Sequence, residues 1–266
     1  MSRRRRAAGP WPALACVLLA GCAAQPLPAV APHVAAPVPE PVAAPLIVLD
    51  PGHNPADGGA ISIRGTPEIG YNDRFVAELA PALRQAGWRV ELTRSPDASV
   101  SLLDRAQLAG DLRATLFLSV HHDSVQLRCL RQVPQEGHAA YETLRPMGGY
   151  SLYVSGDSPA FAQSYRFARL LAGQLRALGR PPLLEHAGTA CGEGRPLLDP
   201  WLGIYRYDDL AVLRHNAVPA VLLEVGVITD ARDEAYVGDP ANRKKMIEGI
   251  VRGIRAWLAQ DEIRTG

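Results

Sequence analysis

A short apolar run, Leu46-Ile-Val-Leu49, is followed at once by the turn residues Asp50-Pro-Gly-His53. Four consecutive aliphatic residues bounded by turn residues predict a buried strand. His53 then lies just beyond the carboxyl end of that strand, which is where open α/β sheets bind their ligands. A buried strand that ends in a polar turn is the strongest single constraint on the fold of this chain.

The same arrangement occurs twice more. Leu116-Phe-Leu-Ser-Val120 runs directly into His121, and Ala220-Val-Leu-Leu223 runs directly into Glu224. Stretches with helical periodicity separate the strands, so a largely parallel sheet is predicted. We expect a single α/β domain of three layers, with a mostly parallel central sheet and helices on both faces. His53, His121 and Glu224 would then gather at one edge of the sheet.

Helix boundaries follow from capping residues and glycine stops. Asn72 is the expected N-cap of a helix that ends at Gly87. Ser158-Pro159 predicts the start of a helix that ends at Gly179, because serine favours the N-cap and proline the first helical position. Asp239-Pro240 predicts the start of the last helix in the same way.

Two long segments, 126–149 and 180–205, show no clear periodicity. Loops of that length inside a compact domain more often border a functional site than not. One cysteine lies in each of them, Cys129 and Cys191. In an oxidising compartment a disulfide between these two is expected, and two free thiols or zinc ligation are the alternatives.

The start of the chain has the composition of a secretory signal. An arginine-rich beginning precedes an apolar stretch over 11–20, which is too short to span a membrane. Leu19-Ala-Gly-Cys22 resembles the lipobox of bacterial lipoproteins, so we expect a signal peptide over 1–21 and lipidation of Cys22. A soluble periplasmic form cut near Ala23 is the main alternative, and a transit segment or basic amphipathic arm is another.

Residues 22–45 consist almost wholly of Ala, Pro and Val, which favours extended polyproline conformations and cannot form a packed core. We therefore expect a tether over 22–45 and a folded domain over 46–262. The protein is expected in the periplasm, held to a bacterial membrane, and specifically the outer one, by the lipid on Cys22. A formal net charge of +1 and 21% charged residues argue against a nucleic-acid partner.

Four motifs in chain order resemble those of one enzyme family: Leu49-Asp-Pro-Gly-His53, Gly65-Thr-Pro-Glu68, Leu118-Ser-Val-His121 and Pro219-Ala-Val-Leu-Leu-Glu-Val-Gly226. The family is that of the zinc-dependent N-acetylmuramoyl-L-alanine amidases found among bacterial cell-division and sporulation hydrolases. The resemblance extends over nearly all of the domain and implies its α/β fold. Neither long segment shows the helical stripe of the blocking helix that holds some relatives inactive, and the sequence does not reveal whether an activator protein is required.

The resemblance implies a role for one residue of each motif. His53, Glu68 and His121 would hold one Zn²⁺ per chain, since catalytic zinc takes three protein ligands and keeps an open position. Glu224 would be the catalytic residue that moves protons. The implied reaction is hydrolysis of the amide between N-acetylmuramic acid and L-alanine in peptidoglycan. The alternatives are a zinc peptidase or deacylase acting on another amide, and a silent peptidoglycan-binding module.

Three further expectations concern neighbouring side chains. The alternative role for Glu224 is a buried structural carboxylate paired with Arg206 or Arg214, because an unpaired charge after four core aliphatics is costly. His122 should point to the opposite side of its strand from the preceding histidine, as a structural or substrate-facing residue; if the motif alignment is shifted by one residue, His122 replaces His121 as the ligand. Asp50 is expected to accept a hydrogen bond from a ligand histidine, and the alternative is that it only caps the turn.

Overall fold

The apolar runs that begin at Leu46, Leu116 and Ala220 form neighbouring strands in a computed structural model, which describes residues 43–134 and 139–265. The signal peptide expected over 1–21, the lipidation site Cys22 and most of the tether expected over 22–45 lie outside these residues. The strands are β1 (Leu46–Pro51), β2 (Arg89–Leu92), β3 (Leu116–Asp123), β4 (Leu130–Val133), β5 (Ala140–Thr143), β6 (Ser151–Val154), β7 (Leu197–Asp199), β8 (Ile204–Arg206) and β9 (Ala220–Val227). The helices are α1 (Glu68–Gln85), α2 (Leu102–Asp111), α3 (Phe161–Ala177), α4 (Ala211–Arg214), α5 (Ala231–Gly238) and α6 (Pro240–Thr265).

The central sheet has seven strands in the order β2-β1-β3-β9-β6-β8-β7. β1 pairs in parallel with β2 and β3, β3 with β9, and β6 with β8. β6 runs antiparallel to β9, and β7 runs antiparallel to β8. The mostly parallel sheet is therefore confirmed, with two antiparallel pairings on the side that follows β9.

Successive residues of β1 face opposite layers, because side chains alternate across a strand. Ile47 and Leu49 pack into the larger core with α1, α3 and α6. Leu46 and Val48 pack into a smaller core with residues of α2 and α4. Helices thus cover both faces of the sheet and confirm the predicted three layers. No helix among the described residues has the length and hydropathy needed to cross a membrane.

The starts of two helices differ from the predictions. α1 begins at Glu68 rather than after Asn72, because backbone carbonyls of the preceding loop accept hydrogen bonds from the first two N–H groups of the helix and replace a side-chain cap. α3 begins at Phe161, since Ser158 Oγ accepts from Ala160 N in a turn just before the helix. The glycine stops are confirmed, and α6 begins at the predicted proline.

The two segments without periodicity contain short elements that the sequence did not indicate. β4 and β5 pair as an antiparallel hairpin, which a 3-10 turn at Leu127–Cys129 precedes. The second segment holds a 3-10 turn at Glu185–Ala187 and the short strands β7 and β8. α5 was not predicted, although its start has an aspartate cap, Asp230, whose side chain accepts from the second and third backbone N–H groups of the helix, those of Arg232 and Asp233.

Candidate active site

Three adjacent strands, β1, β3 and β9, bring the predicted site residues together. His53 lies two residues beyond β1, whereas His121 and Glu224 lie within β3 and β9 and are Cα partners in the ladder between them. The carboxylate oxygens of Glu68 lie 2.9 Å from His53 Nε2 and 3.0 Å from His121 Nδ1. One ligand atom from each of these three residues lies within 4.8 Å of the other two. The structure thus assembles a donor set of the kind that zinc prefers.

The turn that carries His53 is held by two buried arginines. His53 has a φ of 66°, a left-handed conformation that is uncommon outside glycine. Arg94 Nε and Arg105 Nη2 donate to the His53 carbonyl oxygen at 2.8 and 2.5 Å, and Arg94 Nη2 donates to Gly52 O at 2.8 Å. Hydrogen bonds from charged donors are stronger than those from neutral donors. Here they stabilise the strained backbone of His53.

Asp50 supports the same turn, but through an arginine. Its Oδ1 accepts from Thr93 Oγ1 at 2.5 Å and from Arg105 Nη1 at 3.0 Å, and its Oδ2 accepts from Ser119 Oγ at 2.7 Å. The prediction that Asp50 accepts a hydrogen bond from a ligand histidine is wrong. Its side chain is buried within the sheet, where it neutralises Arg105, and it does not reach the histidines.

Glu68 is buried at the first position of α1 and is held by several donors. Besides the two histidines, Asn72 Nδ2 donates to Glu68 Oε1 at 3.1 Å from one turn further along the helix. Burial disfavours the charged carboxylate, but hydrogen bonds from His121 and His53 outweigh it and hold the pKa of Glu68 well below its usual range. The carboxylate is therefore ionised at neutral pH, as a metal ligand must be.

Two roles were expected for His122, a structural one and a substrate-facing one, and its contacts are those of a structural residue. Its ring is buried against Tyr71 and Phe75 at centroid distances of 5.5 and 6.0 Å, and its Nδ1 lies 2.8 Å from Asn72 Oδ1. Burial lowers the pKa of His122 to about 3, so the ring is neutral. Asn72, predicted as a cap, instead joins His122 to Glu68.

Two glycines leave room for the His-His-Glu set. A Cβ at Gly52 would overlap the ring of His121. A Cβ at Gly59 would lie 2.6 Å from both Glu68 Oε2 and His53 Nε2, and Gly59 has a φ of 75°. Both positions therefore need a residue without a side chain. The glycine-dense loop before α1 does not match a phosphate-binding pattern. Its glycines instead leave space for the side chains of His53 and Glu68.

Glu224 has a buried oxygen, Oε2, without a hydrogen-bond partner among the described residues. Arg206 and Arg214 approach other carboxylates, so the structural alternative of a Glu224–arginine pair is not observed. Burial, followed by the negative charges of Asp123 and Glu68, raises the pKa of Glu224 well above its usual range. A cavity carboxylate perturbed in this way is a candidate for proton transfer.

His53, Glu68, His121 and Glu224, which we call the strand wall, line a cavity of about 480 Å³. The same cavity is lined by a second group, the loop wall, which consists of His186, Glu193 and Arg195.

His186 is the centre of the loop wall. Its Nε2 lies 2.6 Å from Asp123 Oδ2 and its Nδ1 lies 2.8 Å from Glu193 Oε2. Burial opposes the charged ring, but the charge and hydrogen bond of Asp123, and then those of Glu193, raise the pKa of His186 to about 10. The ring is thus an imidazolium that donates to two carboxylates.

A disulfide between Cys129 and Cys191 joins the two long segments. Gln126 N donates to Cys191 O at 2.9 Å, and Arg128 Nε donates to Ala190 O at 2.5 Å. The structure thus selects the disulfide over free thiols or zinc ligation. The bond lies next to the loop wall and fixes the segment that carries it.

The sequence matches the N-acetylmuramoyl-L-alanine amidase family (amidase 3) over residues 47–256. The chain belongs to this family. It is 28% identical over 217 residues to the probable cell wall amidase LytH of Staphylococcus epidermidis, and 29% identical over 216 residues to LytH of Staphylococcus aureus. In both comparisons 80% of this chain is covered, and the chain spans 58% of the length of these curated relatives.

Solved structures of the amidase family share the fold. The catalytic domain of CwlV from Bacillus (Paenibacillus) polymyxa var. colistinus aligns with a TM-score of 0.60 and 27% identity, covering 81% of this chain and 98% of that one. Ami1 from Mycobacterium abscessus, in its apo form, aligns with a TM-score of 0.61 and 25% identity, covering 82% of this chain and all of that one (100%). The expected α/β fold is therefore shown.

Sequence reasoning brought the four residues of the strand wall together but missed the loop wall and the residues that support both. Arg94 and Arg105 gave no signal, because neither lies near the site in the chain. The pair Cys129 and Cys191 was the available signal for the loop wall. A bond between them requires the two aperiodic segments of this amidase domain to meet.

Proposed function

We propose that the protein is a zinc-dependent N-acetylmuramoyl-L-alanine amidase that cleaves the amide between N-acetylmuramic acid and L-alanine in peptidoglycan. The observation that carries the proposal is the strand wall, in which a His-His-Glu donor set lines one cavity together with a glutamate whose Oε2 has no hydrogen-bond partner among the described residues. Family membership supports the reaction, and the relatives' names include cell wall amidase and N-acetylmuramoyl-L-alanine amidase.

The residues fit a zinc ion. Two imidazoles and one carboxylate from His53, His121 and Glu68 match the three protein ligands of a catalytic site, and the buried Glu68 carboxylate is ionised. Gly52 and Gly59 keep the space around these three side chains free of Cβ atoms. When bound, zinc polarises a carbonyl and lowers the pKa of water toward neutrality.

Glu224 supplies the proton transfers. Its unpartnered Oε2 accepts a proton from the attacking water and delivers it to the nitrogen of L-alanine as the C–N bond breaks. The water oxygen becomes part of the lactyl carboxylate, and the stem peptide leaves with a free amine. Burial raises the pKa of Glu224, which makes its carboxylate a stronger base toward the water, and the carboxyl group formed in that step then gives its proton to the leaving nitrogen.

Digestion of purified peptidoglycan, followed by mass spectrometry of the soluble products, tests the reaction. We expect stem peptides that begin with a free L-alanine amine, and glycan strands whose muramic acid ends in a carboxylate. Peptides cut at another amide, or loss of acetyl groups, would indicate the peptidase or deacylase alternative. An intact wall would indicate the silent module.

Metal analysis of the same protein tests the zinc proposal. We expect one zinc per chain, loss of activity with a chelator, and recovery on adding zinc. The His53→Ala variant should bind much less zinc under matched conditions, because one of three ligands is removed. Full activity in metal-free protein would reject zinc dependence while leaving the amide specificity to the digestion experiment.

We further propose that the protein is a periplasmic lipoprotein tethered to the outer membrane. The lipobox-like Leu19-Ala-Gly-Cys22 and the Pro/Ala-rich range 22–45 support this, because a lipid anchor and a semi-rigid spacer would hold the domain near its polymer. In the native host, Cys22→Ser should release the protein from the membrane fraction. Retention of that variant in the membrane fraction would argue against anchoring at Cys22.

A further inference from the structure

Arg195 lines the catalytic cavity and, among the residues that the structure describes, has no carboxylate partner. The other arginines near the strand wall are neutralised: Arg94 pairs with Asp73 at 2.7 Å and Arg105 with Asp50 at 3.0 Å. A guanidinium that faces a cavity without its own counter-ion is available to an acidic ligand.

The guanidinium of Arg195 is held in place by a stack of aromatic rings. Its Cζ lies 3.2 Å from the ring centroid of Tyr207. Tyr207 meets Tyr153 edge to face at 5.9 Å, and Tyr153 stacks on the buried Tyr205 at 5.4 Å. Stacking occupies the face of the guanidinium and leaves the N–H groups at its edge free to donate.

The backbone around Arg195 is also fixed. Arg195 N donates to His186 O at 2.7 Å. The nearby carboxylate of Glu193 does not pair with Arg195, because His186 Nδ1 and Gln126 Nε2 bind it at 2.8 and 2.7 Å. Arg195 is therefore preorganised, and among the described residues it forms no ion pair with a carboxylate, although its charge interacts with that of Glu193. Preorganisation lowers the entropic cost of binding a ligand.

The substrate class offers a matching group. Beyond L-alanine, the stem peptide of peptidoglycan carries free carboxylates on its second residue, D-glutamate, and on its third, when that is diaminopimelate. Resting on the proposed function, we propose that Arg195 is a substrate-binding residue that pairs with one of these stem-peptide carboxylates. A planar fork of N–H donors binds a carboxylate through two parallel hydrogen bonds.

Kinetics with three soluble muramoyl tripeptides test the pairing: one with free carboxylates, one amidated on the second residue and one amidated on the third. We expect wild type to lose roughly 10- to 100-fold in kcat/KM on one of the amidated substrates. Arg195→Gln should lose the same factor on the free acid and nothing further on that amidated substrate. The amidated tripeptide that the wild type cleaves more slowly identifies the carboxylate that Arg195 binds.

Arg176→Gln is the matched control, because Arg176 also stacks on an aromatic ring, Trp201, at 3.8 Å but does not line the cavity. It should keep the wild-type preference for the free acid. Arg195→Lys should recover only part of the preference, since an ammonium keeps the charge and loses the fork. Equal preference in wild type and Arg195→Gln would overturn the proposal.

Calorimetric binding of the free tripeptide L-Ala-γ-D-Glu-diaminopimelate, and of its two amidated forms, separates this proposal from the proposed function. Carboxylate-dependent binding that is lost in Arg195→Gln supports the subsite even in a protein that hydrolyses no peptidoglycan. Hydrolysis of peptidoglycan without any carboxylate preference, in kinetics or in binding, rejects the subsite and leaves the amidase proposal standing.

Discussion

The strand wall and the loop wall line one cavity but are held by different forces. The strand wall is held by the parallel ladders between β1, β3 and β9 and by the first turn of α1. The loop wall comes from a segment with one short 3-10 turn and no long element, and it depends on the Cys129–Cys191 disulfide and on the side-chain bonds of His186.

This difference predicts where damage will spread. A side chain on a strand is held in position by the many backbone hydrogen bonds of the sheet. A loop that is held by a few side-chain contacts loses its conformation when one of those contacts is removed. We therefore expect changes in the strand wall to act on chemistry and metal binding with little effect on the loops. Changes in the loop wall should act on stability and substrate binding.

The largest effect is expected at Glu224 in the strand wall. Glu224→Ala should lower kcat by roughly 10²- to 10⁴-fold, the usual contribution of a general acid–base group, and keep one zinc per chain. Muropeptide release and metal content measure the two quantities. Glu142→Ala, on β5 where it pairs with the exposed Arg131, is the control and should keep full activity. Retained hydrolysis by Glu224→Ala would remove this residue from the mechanism.

Removing the disulfide should have the next largest effect. The Cys129→Ser, Cys191→Ser double variant should lose about 2–4 kcal/mol of unfolding free energy, because the bond closes a loop with a sequence separation of 62 residues. Urea unfolding measures the loss, and zinc content should stay at the wild-type level. Loss of zinc from a folded variant would show that the two walls are not independent.

A methyl group at Gly59 should disturb the strand wall alone. In Gly59→Ala the new Cβ would meet Glu68 and His53, and the left-handed backbone would cost about 1–2 kcal/mol. Zinc affinity should fall by roughly 10- to 100-fold, as for other residues that orient ligands. Gly173→Ala in α3, whose Cβ would meet nothing within 4 Å, is the control and should not weaken zinc binding. Unchanged affinity in Gly59→Ala would contradict the packing argument.

The smallest effect concerns the imidazolium of the loop wall. His186→Gln should cost about 1–2 kcal/mol at pH 6, where two charge-assisted hydrogen bonds are lost. The folded pKa of about 10 lies above the unfolded value of 6.5, so this stabilisation is complete below pH 6.5 and is lost as pH rises toward 10.

Urea unfolding of wild type and His186→Gln from pH 6 to pH 10 measures this dependence. The groups that face the ring are the carboxylates of Asp123 and Glu193 and the rings of Tyr153 and Tyr205. Burial raises the pKa of both tyrosines above 10, so they stay neutral over most of this range. A difference between the two proteins that does not shrink with rising pH would contradict a charged His186.

Much of the fold could be predicted because it rests on local patterns. Runs of aliphatic residues marked β1, β3 and β9, and glycines marked the ends of α1 and α3. The predicted starts were less accurate at Asn72 and Ser158, because a helix can satisfy its first N–H groups with distant backbone carbonyls as well as with its own side chains.

The supports of the site could not be predicted in the same way. Arg94 and Arg105 hold the His53 turn from 41 and 52 residues away in sequence. A glycine is needed at position 59 because the Glu68 carboxylate lies where a Cβ would be. Nothing in the local sequence of these residues distinguishes them from ordinary surface arginines or a turn glycine. Their roles exist only once the chain has folded.

The sequence by itself determined the three parallel strands, the side chains at their ends and the helices that cover them, since periodic burial of apolar residues acts over short distances along the chain. Only the tertiary structure decided the loop wall and the two groups that have no ion-pair or hydrogen-bond partner within the part of the chain that it describes, Glu224 Oε2 and the guanidinium of Arg195. Those properties depend on which charges meet across long stretches of chain, and charge pairing is set by packing in three dimensions.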